Sequence, residues 1–207
     1  MGGRGSNSLS DTNIRNSGEK TSQTTGLASL SKEAGTWVQS LTPAELAAVG
    51  GYSIEGPNGY DGINDYLRGL SQNSAYLPSR QTIDALDSAI GKFTVSNPIT
   101  VERVITANGF AALRPDGTLP IGTVLTDKGY TSTTLTRDRG FIKSQRFVLQ
   151  ISVPVGAKGA YIETASFNKS EKEFLIHRGA SYQVTSVRQG ETSQGTPQFI
   201  IKANLLK

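Results

Sequence analysis

Phe167 to Val184 reads FNKSEKEFLIHRGASYQV, and the two halves of this stretch differ in character. The second half, FLIHRG followed by ASYQV, predicts two short strands joined by a turn at Gly179. The first half places Glu171 and Glu173 two positions apart at the start of a strand. Residues i and i+2 of a strand point to the same face, roughly 6.6 Å apart, so the two carboxylates are predicted to lie side by side. Like charges so placed destabilise a strand, which indicates that the pair serves a function.

The segments on either side predict helices first and strands second. Before Pro98, the sequence predicts a helix anchored by Trp37, a helix capped by Thr42, a helix in Gly59–Leu70 and a helix opened by Ser79. The Thr42 helix has Pro43 at its first position and Glu45 at its third, the pattern of a capping box. After Pro98, seven segments rich in β-branched and aromatic residues predict strands: ITVERVI, GTVLTDKGYTSTTL, RFVLQISVPV, KGAYIET, KEFLIH, SYQVTSV and PQFIIKANLL.

This order of elements predicts an α+β fold, in which N-terminal helices pack on a core of two antiparallel or mixed β-sheets. Residues 1–26 are mostly Gly, Ser, Thr and Asn and predict a flexible leader, because such a segment cannot bury enough surface to offset its ordering entropy. Residues 27–207 are then expected to form one domain.

Composition excludes several classes of site. The chain has no Cys and one His, His177, which rules out thiolate chemistry and a two-His metal site, so no metal is expected. His177 follows three apolar residues beside a turn and is interpreted as a structural or surface residue. No Rossmann glycine pattern follows a strand, and no P-loop is present. The sequence also shows no signal peptide at its start and no apolar run long enough to span a bilayer, so membrane insertion by this chain is not expected.

The net charge of +4 is carried mainly by the second half of the chain. A basic surface attracts nucleic acid, phosphate-bearing ligands or acidic proteins. The Lys and Arg residues are dispersed and form no run, which favours a solvated surface over nucleic-acid binding.

Three further groups of residues suggest chemistry that would use the carboxylate pair. Arg103 lies inside a predicted strand, where a cation needs an anionic partner. Ser132, Thr133 and Thr134 form a row of hydroxyls in the next strand, and Tyr60 and Asn64 lie four apart on one helix face. Cleavage of an N-glycosidic bond needs an anion beside the forming cation and a second group for the nucleophile, and Arg binds phosphate oxygens in pairs. These residues predict glycosyl transfer or hydrolysis on a phosphorylated ligand, with an ordinary glycosidase as an alternative.

The order of Arg103, Ser132-Thr133-Thr134 and Glu171-Lys172-Glu173 resembles the arginine–serine–glutamate class of bacterial mono-ADP-ribosyltransferase toxins. That class includes iota toxin, the insecticidal actin-modifying toxins and the Rho-modifying clostridial exoenzymes. The likeness runs from about Leu41 to the C-terminus and includes the segments LTPAELAAV, GYDGINDYL, IDALDSAI, ITVERV, DKGYTSTT, ISVPVGAKGAYIETASF and EKEFLIHRGASYQV.

The resemblance implies that the chain is an enzyme that consumes NAD as a substrate and needs no metal. It implies that Arg103 holds the NAD phosphates, that Ser132 orders the pocket, and that Glu173 stabilises the ribosyl cation. Further residues that the resemblance places at NAD are Tyr52, Tyr60, Asn64, Thr134 and Phe141.

The resemblance also implies how the acceptor is chosen. A Glu at the first position of the pair goes with arginine acceptors, so Glu171 would serve a target arginine. The loop from Thr164 to Glu171 would recognise the target protein, with Phe167 as its exposed aromatic residue. The implied activity is transfer of ADP-ribose to a protein arginine, with actin as one candidate target and NAD hydrolysis as a side activity.

Two alternatives stay open at this point. One is an ADP-ribosyltransferase that modifies a bacterial protein or a nucleic acid, as an antibacterial or phage effector would. The other is a non-catalytic docking module of the same fold, against which the joint presence of Arg103, Ser132, Glu171 and Glu173 argues. A toxin of this class is expected to be a monomer that is secreted or delivered into a target cell.

Overall fold

A computed structural model describes residues 27–70, 77–106, 110, 112–135, 140–168 and 171–207, apart from the side chains of residues 140 and 141. The predicted leader, residues 1–26, lies outside the described residues. Within the described ranges the chain forms five helices and eight strands. No helix among them combines the length and the hydropathy that crossing a membrane requires.

Four of the five described helices lie where the sequence predicts a helix. Helix α1 covers residues 27–39. The other helices are α2 (Pro43–Tyr52), α3 (Tyr60–Arg68), α4 (Arg80–Gly91) and α5 (Gly140–Ser144). The capping box of α2 is confirmed, because Thr42 Oγ1 accepts from Glu45 N at 3.3 Å and Glu45 Oε2 accepts from Thr42 N at 2.7 Å. Helix α5 was not predicted, since five residues are too few to show a helical period.

Glu45 also joins α2 to α4. Lys92 Nζ lies 2.7 Å from Glu45 Oε2, and Ser88 Oγ donates to Glu45 Oε1 at 2.6 Å. The hydrogen bonds from Lys92 and Ser88 outweigh the cost of burial and lower the pKa of Glu45 to about 2. The carboxylate that caps α2 is therefore also the partner that fixes α4 beside it.

The strands form one continuous hydrogen-bonded order, β2-β7-β8-β4-β1-β3-β6-β5, in which β4 pairs parallel with β8 and the other pairs are antiparallel. Their bounds are β1 (Ile99–Val104), β2 (Val124–Thr126), β3 (Thr131–Thr134), β4 (Phe147–Val153), β5 (Gly159–Tyr161), β6 (Glu173–Ile176), β7 (Ser181–Glu191) and β8 (Pro197–Leu205). Helices followed by a mixed sheet confirm the predicted α+β class.

The number of sheets differs from the prediction of two. The set β2-β7-β8-β4-β1 and the set β3-β6-β5 are linked where β1 meets β3, at the single pair of Cα partners Glu102 and Thr134. We call this link the β1–β3 joint. Strand composition alone cannot show such a link, because pairing between distant strands depends on register.

One predicted strand, GTVLTDKGYTSTTL, is broken into β2 and β3. Between them the carboxylate of Asp127 accepts a hydrogen bond from Gly129 N at 2.9 Å, which turns the chain locally. Gly129 is required there, since a Cβ at this position would lie 2.6 Å from Asn64 Oδ1. The turn thereby brings the start of β3 against helix α3.

A series of aromatic rings connects the first helix to the strand that begins with Glu173. Trp37 packs edge-on against Phe93 at 5.7 Å between ring centroids, and Phe93 packs edge-on against Phe174 at 6.4 Å. Trp37 also donates from Nε1 to Ala89 O at 2.7 Å, so its predicted role as an anchor is confirmed. Fully burying a side chain such as Phe174 contributes about 1.5–3 kcal/mol, which holds β6 firmly at the core.

Candidate active site

A cavity of about 480 Å³ gathers most of the predicted site residues. Its walls come from helices α2 and α3 and from strands β1, β3 and β6. The residues that line it are Tyr52, Ser53, Tyr60, Asp61, Asn64, Asp65, Arg68, Arg103, Ser132, Asn168, Glu171 and Glu173. Seven of these were singled out from the sequence: Tyr52, Tyr60, Asn64, Arg103, Ser132, Glu171 and Glu173.

Glu173 and Ser132 are brought together by the pairing of β3 with β6. Glu173 is the first residue of β6 and is 5% exposed. Ser132 Oγ donates a hydrogen bond to Glu173 Oε1. A buried carboxylate is costly without such donors, and Ser132 supplies one.

The prediction that Glu171 and Glu173 share one face of a strand is wrong. Strand β6 begins only at Glu173, and Lys172 has a φ of 47°, the left-handed region that non-glycine residues seldom adopt. This turn removes Glu171 from the strand, yet both glutamates line the cavity. The function inferred from the pair therefore does not depend on the strand geometry that suggested it.

Thr134 holds the backbone of Glu171 rather than lining the cavity. Its Oγ1 donates to the carbonyl oxygen of Glu171 at 3.1 Å, and Thr134 is not among the described residues that form the cavity wall. A direct contact between Thr134 and NAD, which the resemblance implied, is not what this geometry favours. The threonine instead fixes the position of the first glutamate.

Helix α3 presents Tyr60, Asn64 and Arg68 along one face, since the three residues are spaced four apart. Asn64 Nδ2 donates to Tyr52 OH at 2.8 Å, and Asn64 Oδ1 accepts from Tyr130 N at 2.8 Å. Asn64 therefore ties α3 to α2 and to the start of β3. Burial raises the pKa of Tyr52, so its hydroxyl stays protonated at neutral pH.

Tyr60 lies at the open side of the cavity. It is 41% exposed, and its hydroxyl donates to Glu55 Oε1 at 3.1 Å. Among the aromatic residues that line the described cavity, this exposed ring is the one that a ligand could cover.

Two cations and one carboxylate form a cluster at the cavity wall. Arg68 binds Asp127 through two hydrogen bonds, from Nε at 2.9 Å and from Nη2 at 2.8 Å. Arg103 Nη1 lies 3.5 Å from Asp127 Oδ2. The hydrogen bond to Asp127 raises the pKa of Arg68 against the opposing effect of its burial.

Sequence reasoning found Arg103 but missed Arg68 and Asp127. The spacing Tyr60, Asn64, Arg68 offered a signal for Arg68, because continuing the helix face by four residues reaches it. Asp127 offered none, since its partners come from segments that are far apart in the sequence.

Phe167 lies beside the cavity at the surface. It is 68% exposed, and its ring lies against Gly50, where a Cβ would come within 2.8 Å of the ring. Its backbone N–H donates to Ser53 Oγ at 2.8 Å, and both Ser53 and Asn168 line the cavity. Phe167 thus forms an apolar patch next to the opening. Within the loop Thr164–Glu171, residues 169 and 170 lie outside the described residues, as does the side chain of Phe141.

His177 belongs to a cluster outside the cavity. This location agrees with its interpretation as a structural or surface residue. Its Nε2 lies 3.2 Å from Asp87 Oδ1, and Arg178 binds Asp87 from Nε and Nη2 at 2.9 and 2.7 Å. Tyr130 donates to the same carboxylate and packs edge-on against the His177 ring. Across the described part of the chain, no group of acidic, His or Cys residues is arranged to hold a metal ion.

The cavity therefore combines two guanidinium groups, four carboxylates and two serine hydroxyls. Guanidinium groups suit phosphate oxygens, and a carboxylate suits a developing sugar cation. The arrangement fits transfer of a sugar from a phosphate-bearing ligand. Separate carboxylates are present for the sugar cation and for the acceptor.

Comparison with known proteins finds a matching family model and relatives of this chain. Residues 30–207 match the family model described as ADP-ribosyltransferase exoenzyme. The chain is 30% identical over 169 residues to NAD(+)–arginine ADP-ribosyltransferase EFV of Enterococcus faecalis (strain ATCC 700802 / V583). That match covers 78% of this chain but 33% of the relative, so the chain spans about a third of the length of this curated protein.

Two solved structures share the fold. Plx2a, an ADP-ribosyltransferase toxin from Paenibacillus larvae, has a TM-score of 0.72 at 20% identity, over 90% of this chain and 97% of that toxin. BECa, an ADP-ribosylating toxin of a C. perfringens binary enterotoxin solved with NADH, has a TM-score of 0.73 at 24% identity, over 88% of this chain and 48% of that one. These matches confirm the resemblance drawn from the sequence.

Proposed function

The chain belongs to the ADP-ribosyltransferase exoenzyme family, and we propose that it is a toxin enzyme that transfers ADP-ribose from NAD to an arginine of a target protein. One observation carries the proposal: Arg103, Ser132 and the pair Glu171 and Glu173 come from three separate segments and line one cavity. The proposed catalytic domain is residues 27–207. The arginine specificity printed in the name of the Enterococcus relative supports the choice of acceptor.

NAD would enter the cavity with its diphosphate at the guanidinium groups of Arg68 and Arg103. Planar guanidinium groups donate paired hydrogen bonds to phosphate oxygens, and two of them can meet the two phosphates. Tyr60 would cover the bound dinucleotide from the open side, while Tyr52 and Asn64 shape the wall behind it. Phe141, on the short helix α5, is proposed as a ring near the nicotinamide.

Glu173 would stabilise the sugar cation. In the reaction the bond between the nicotinamide nitrogen and C1′ of the ribose breaks, and neutral nicotinamide leaves with the bonding electrons. The positive charge that develops on the ribose then lies beside the buried carboxylate that Ser132 helps to hold. Such preorganised electrostatic stabilisation is typically the largest single contribution to catalysis.

Glu171 would prepare the acceptor. A guanidinium nitrogen of the target arginine has to lose a proton as it bonds to C1′, and Glu171 can accept that proton. With water as the acceptor, the same cation would give NAD hydrolysis, which is the proposed side activity. Phe167, exposed beside the opening, is proposed as a contact with the target protein, and actin is the target to test first.

The direct test uses labelled NAD with agmatine as a small guanidine acceptor, followed by labelling of a host-cell lysate. Wild-type protein should release nicotinamide and label agmatine, and Glu173→Gln should lose about 10²–10³-fold in both transfer and hydrolysis, because the anion at the cation is gone. Glu191→Gln, an exposed glutamate away from the cavity, is the control and should keep both rates.

The outcomes separate the alternatives. Turnover by Glu173→Gln close to that of wild type would contradict the assignment of Glu173. No turnover by the wild-type protein on any substrate would favour a docking module, whereas labelling of a bacterial protein or a nucleic acid, but not of agmatine, would favour the effector alternative. The labelled band in the lysate identifies the target.

A further inference from the structure

Asp127 contacts several elements near the cavity, although it is not among the described residues that line the cavity. Its side chain is 9% exposed. It accepts from Arg68 Nε and Nη2, from Gly129 N at 2.9 Å and from Thr131 Oγ1 at 3.3 Å, and it lies 3.5 Å from Arg103 Nη1. The carboxylate therefore joins α3, β1 and the turn that precedes β3.

The two guanidinium groups would repel each other without this carboxylate. Asp127 Oδ2 contacts both Arg68 and Arg103, so one oxygen atom sets where the two cations lie relative to each other. The carboxylate is itself held by the backbone N–H of Gly129 and by the hydroxyl of Thr131, neither of which lines the described cavity. The arrangement fixes two long side chains that would otherwise sample many rotamers.

Resting on the proposed function, we propose that Asp127 is a positioning residue for NAD binding. Its carboxylate holds the guanidinium groups of Arg68 and Arg103 at the spacing and orientation that the diphosphate requires. Asp127 does not touch the reacting atoms and acts only through the two arginines.

Positioning by Asp127 and a simple charge effect predict opposite changes in the NAD affinity of Asp127→Asn. Two arginines and one aspartate leave a local charge of one positive unit, and removing the aspartate charge raises it to two. If only the electric field mattered, Asp127→Asn would bind the anionic diphosphate more tightly. If the carboxylate positions the arginines, the same variant binds NAD more weakly despite the added positive charge.

The experiment measures NAD hydrolysis and NAD affinity for Asp127→Asn and Asp127→Glu. We expect the KM and the Kd for NAD to rise about 10–100-fold, the size expected for hydrogen bonds to charged groups, while kcat changes by only a few-fold. Asp127→Glu keeps the charge but moves the carboxylate by one methylene, so it should also raise KM. It provides the test should Asp127→Asn fail to fold.

Asp87→Asn is the matched control, because Asp87 also binds an arginine through two hydrogen bonds but lies in the cluster outside the cavity. A merely structural role for Asp127 would give both Asn variants a similar loss of thermal stability and a similar, small effect on KM. Unchanged or tighter NAD binding in both Asp127 variants would overturn the inference while leaving the proposed function intact. A wild-type protein that neither binds nor hydrolyses NAD would instead overturn the proposed function.

Discussion

The backbone at Lys172 determines how the two glutamates of the cavity relate to each other. Its left-handed conformation ends the run of the chain from Glu171 before strand β6 begins at Glu173. Glu173 is held by strand pairing and by Ser132, whereas the backbone of Glu171 is held by Thr134. Because the two carboxylates have different supports, substitution of one should leave the other in place.

We therefore expect Glu171→Gln to separate the two activities. Water can attack the ribosyl cation without Glu171, so NAD hydrolysis should stay within a few-fold of wild type. Transfer to agmatine should fall about 10²-fold or more, because a positioned general base contributes about 10²–10⁴-fold. Both rates can be measured on one variant by following nicotinamide release and agmatine labelling.

The competing view is that both glutamates act on the sugar, as in a glycosidase pair. It predicts that hydrolysis and transfer fall together by similar factors. Ser53→Ala, which changes a cavity residue on the side of Phe167 without removing a charge, provides the comparison for general disturbance of the opening.

At the residue scale, the sequence predicts which residues reach the cavity better than it predicts the contacts that hold them. Arg103, Ser132, Glu171 and Glu173 could be named because their residue types and order suit one reaction, and the structure brings them to one cavity. The positions of Thr134 and Asp127 could not be predicted, because each depends on a contact made across the turn between β2 and β3 or across the turn at Lys172.

At the scale of elements, one carboxylate joins α4 to the segment that follows β6. Asp87 on α4 faces His177, Arg178 and Tyr130, and the backbone N–H of His177 donates to Lys158 O. The hydrogen bond with Asp87 raises the pKa of His177 against the opposing effect of burial. The imidazole is thus more basic in the folded protein than in the unfolded chain.

This shift gives stability a definite dependence on pH. A group whose pKa is raised on folding contributes fully below its unfolded pKa, about 6.5, and the contribution is lost as the pH rises through the folded value. We expect the melting temperature of wild-type protein to be higher at pH about 6 than at pH about 9. His177→Gln should lack this difference, and since His177 is the only histidine of the chain, the comparison isolates it. A pH profile that is the same for both proteins would mean that the ion pair between His177 and Asp87 does not contribute to folding.

The elements themselves were predicted unevenly, for physical reasons. Helices α2 and α4 could be placed because Thr42 and Ser79 mark their starts. The break between β2 and β3 was missed because Asp127, Lys128 and Gly129 lie within a run of β-forming residues. The break depends on the hydrogen bond from Gly129 to Asp127 and on the packing of Gly129 against α3.

At the scale of the whole molecule, the cavity lies across the β1–β3 joint. Arg103 follows Glu102, one partner of the joint, on β1, and Ser132 and Glu173 lie on the other side in β3 and β6. The α+β class follows from the order of helices and strands along the chain. The continuity of the single sheet cannot be predicted in this way. It depends on one pair of residues about thirty positions apart, and no local pattern specifies the register of that pair.

A bound dinucleotide would therefore link two parts of the sheet, one on each side of the β1–β3 joint. Phosphates at Arg103 and ribose at Glu173 would connect β1 to β6 through the ligand, so NAD should slow amide hydrogen exchange in peptides covering Ile99–Val104, Thr131–Thr134 and Glu173–Ile176. The long β7–β8 hairpin, Ser181–Leu205, lies away from the joint and serves as the internal reference. Equal protection of the hairpin and the joint would indicate general stabilisation by mass action instead. Cleavage of NAD would leave this link in place, since the diphosphate and the ribose both stay in ADP-ribose, and the link would be lost only when ADP-ribose leaves the cavity. The two parts of the sheet would then open more readily once ADP-ribose has left, so the release of product would be coupled to local opening of the fold.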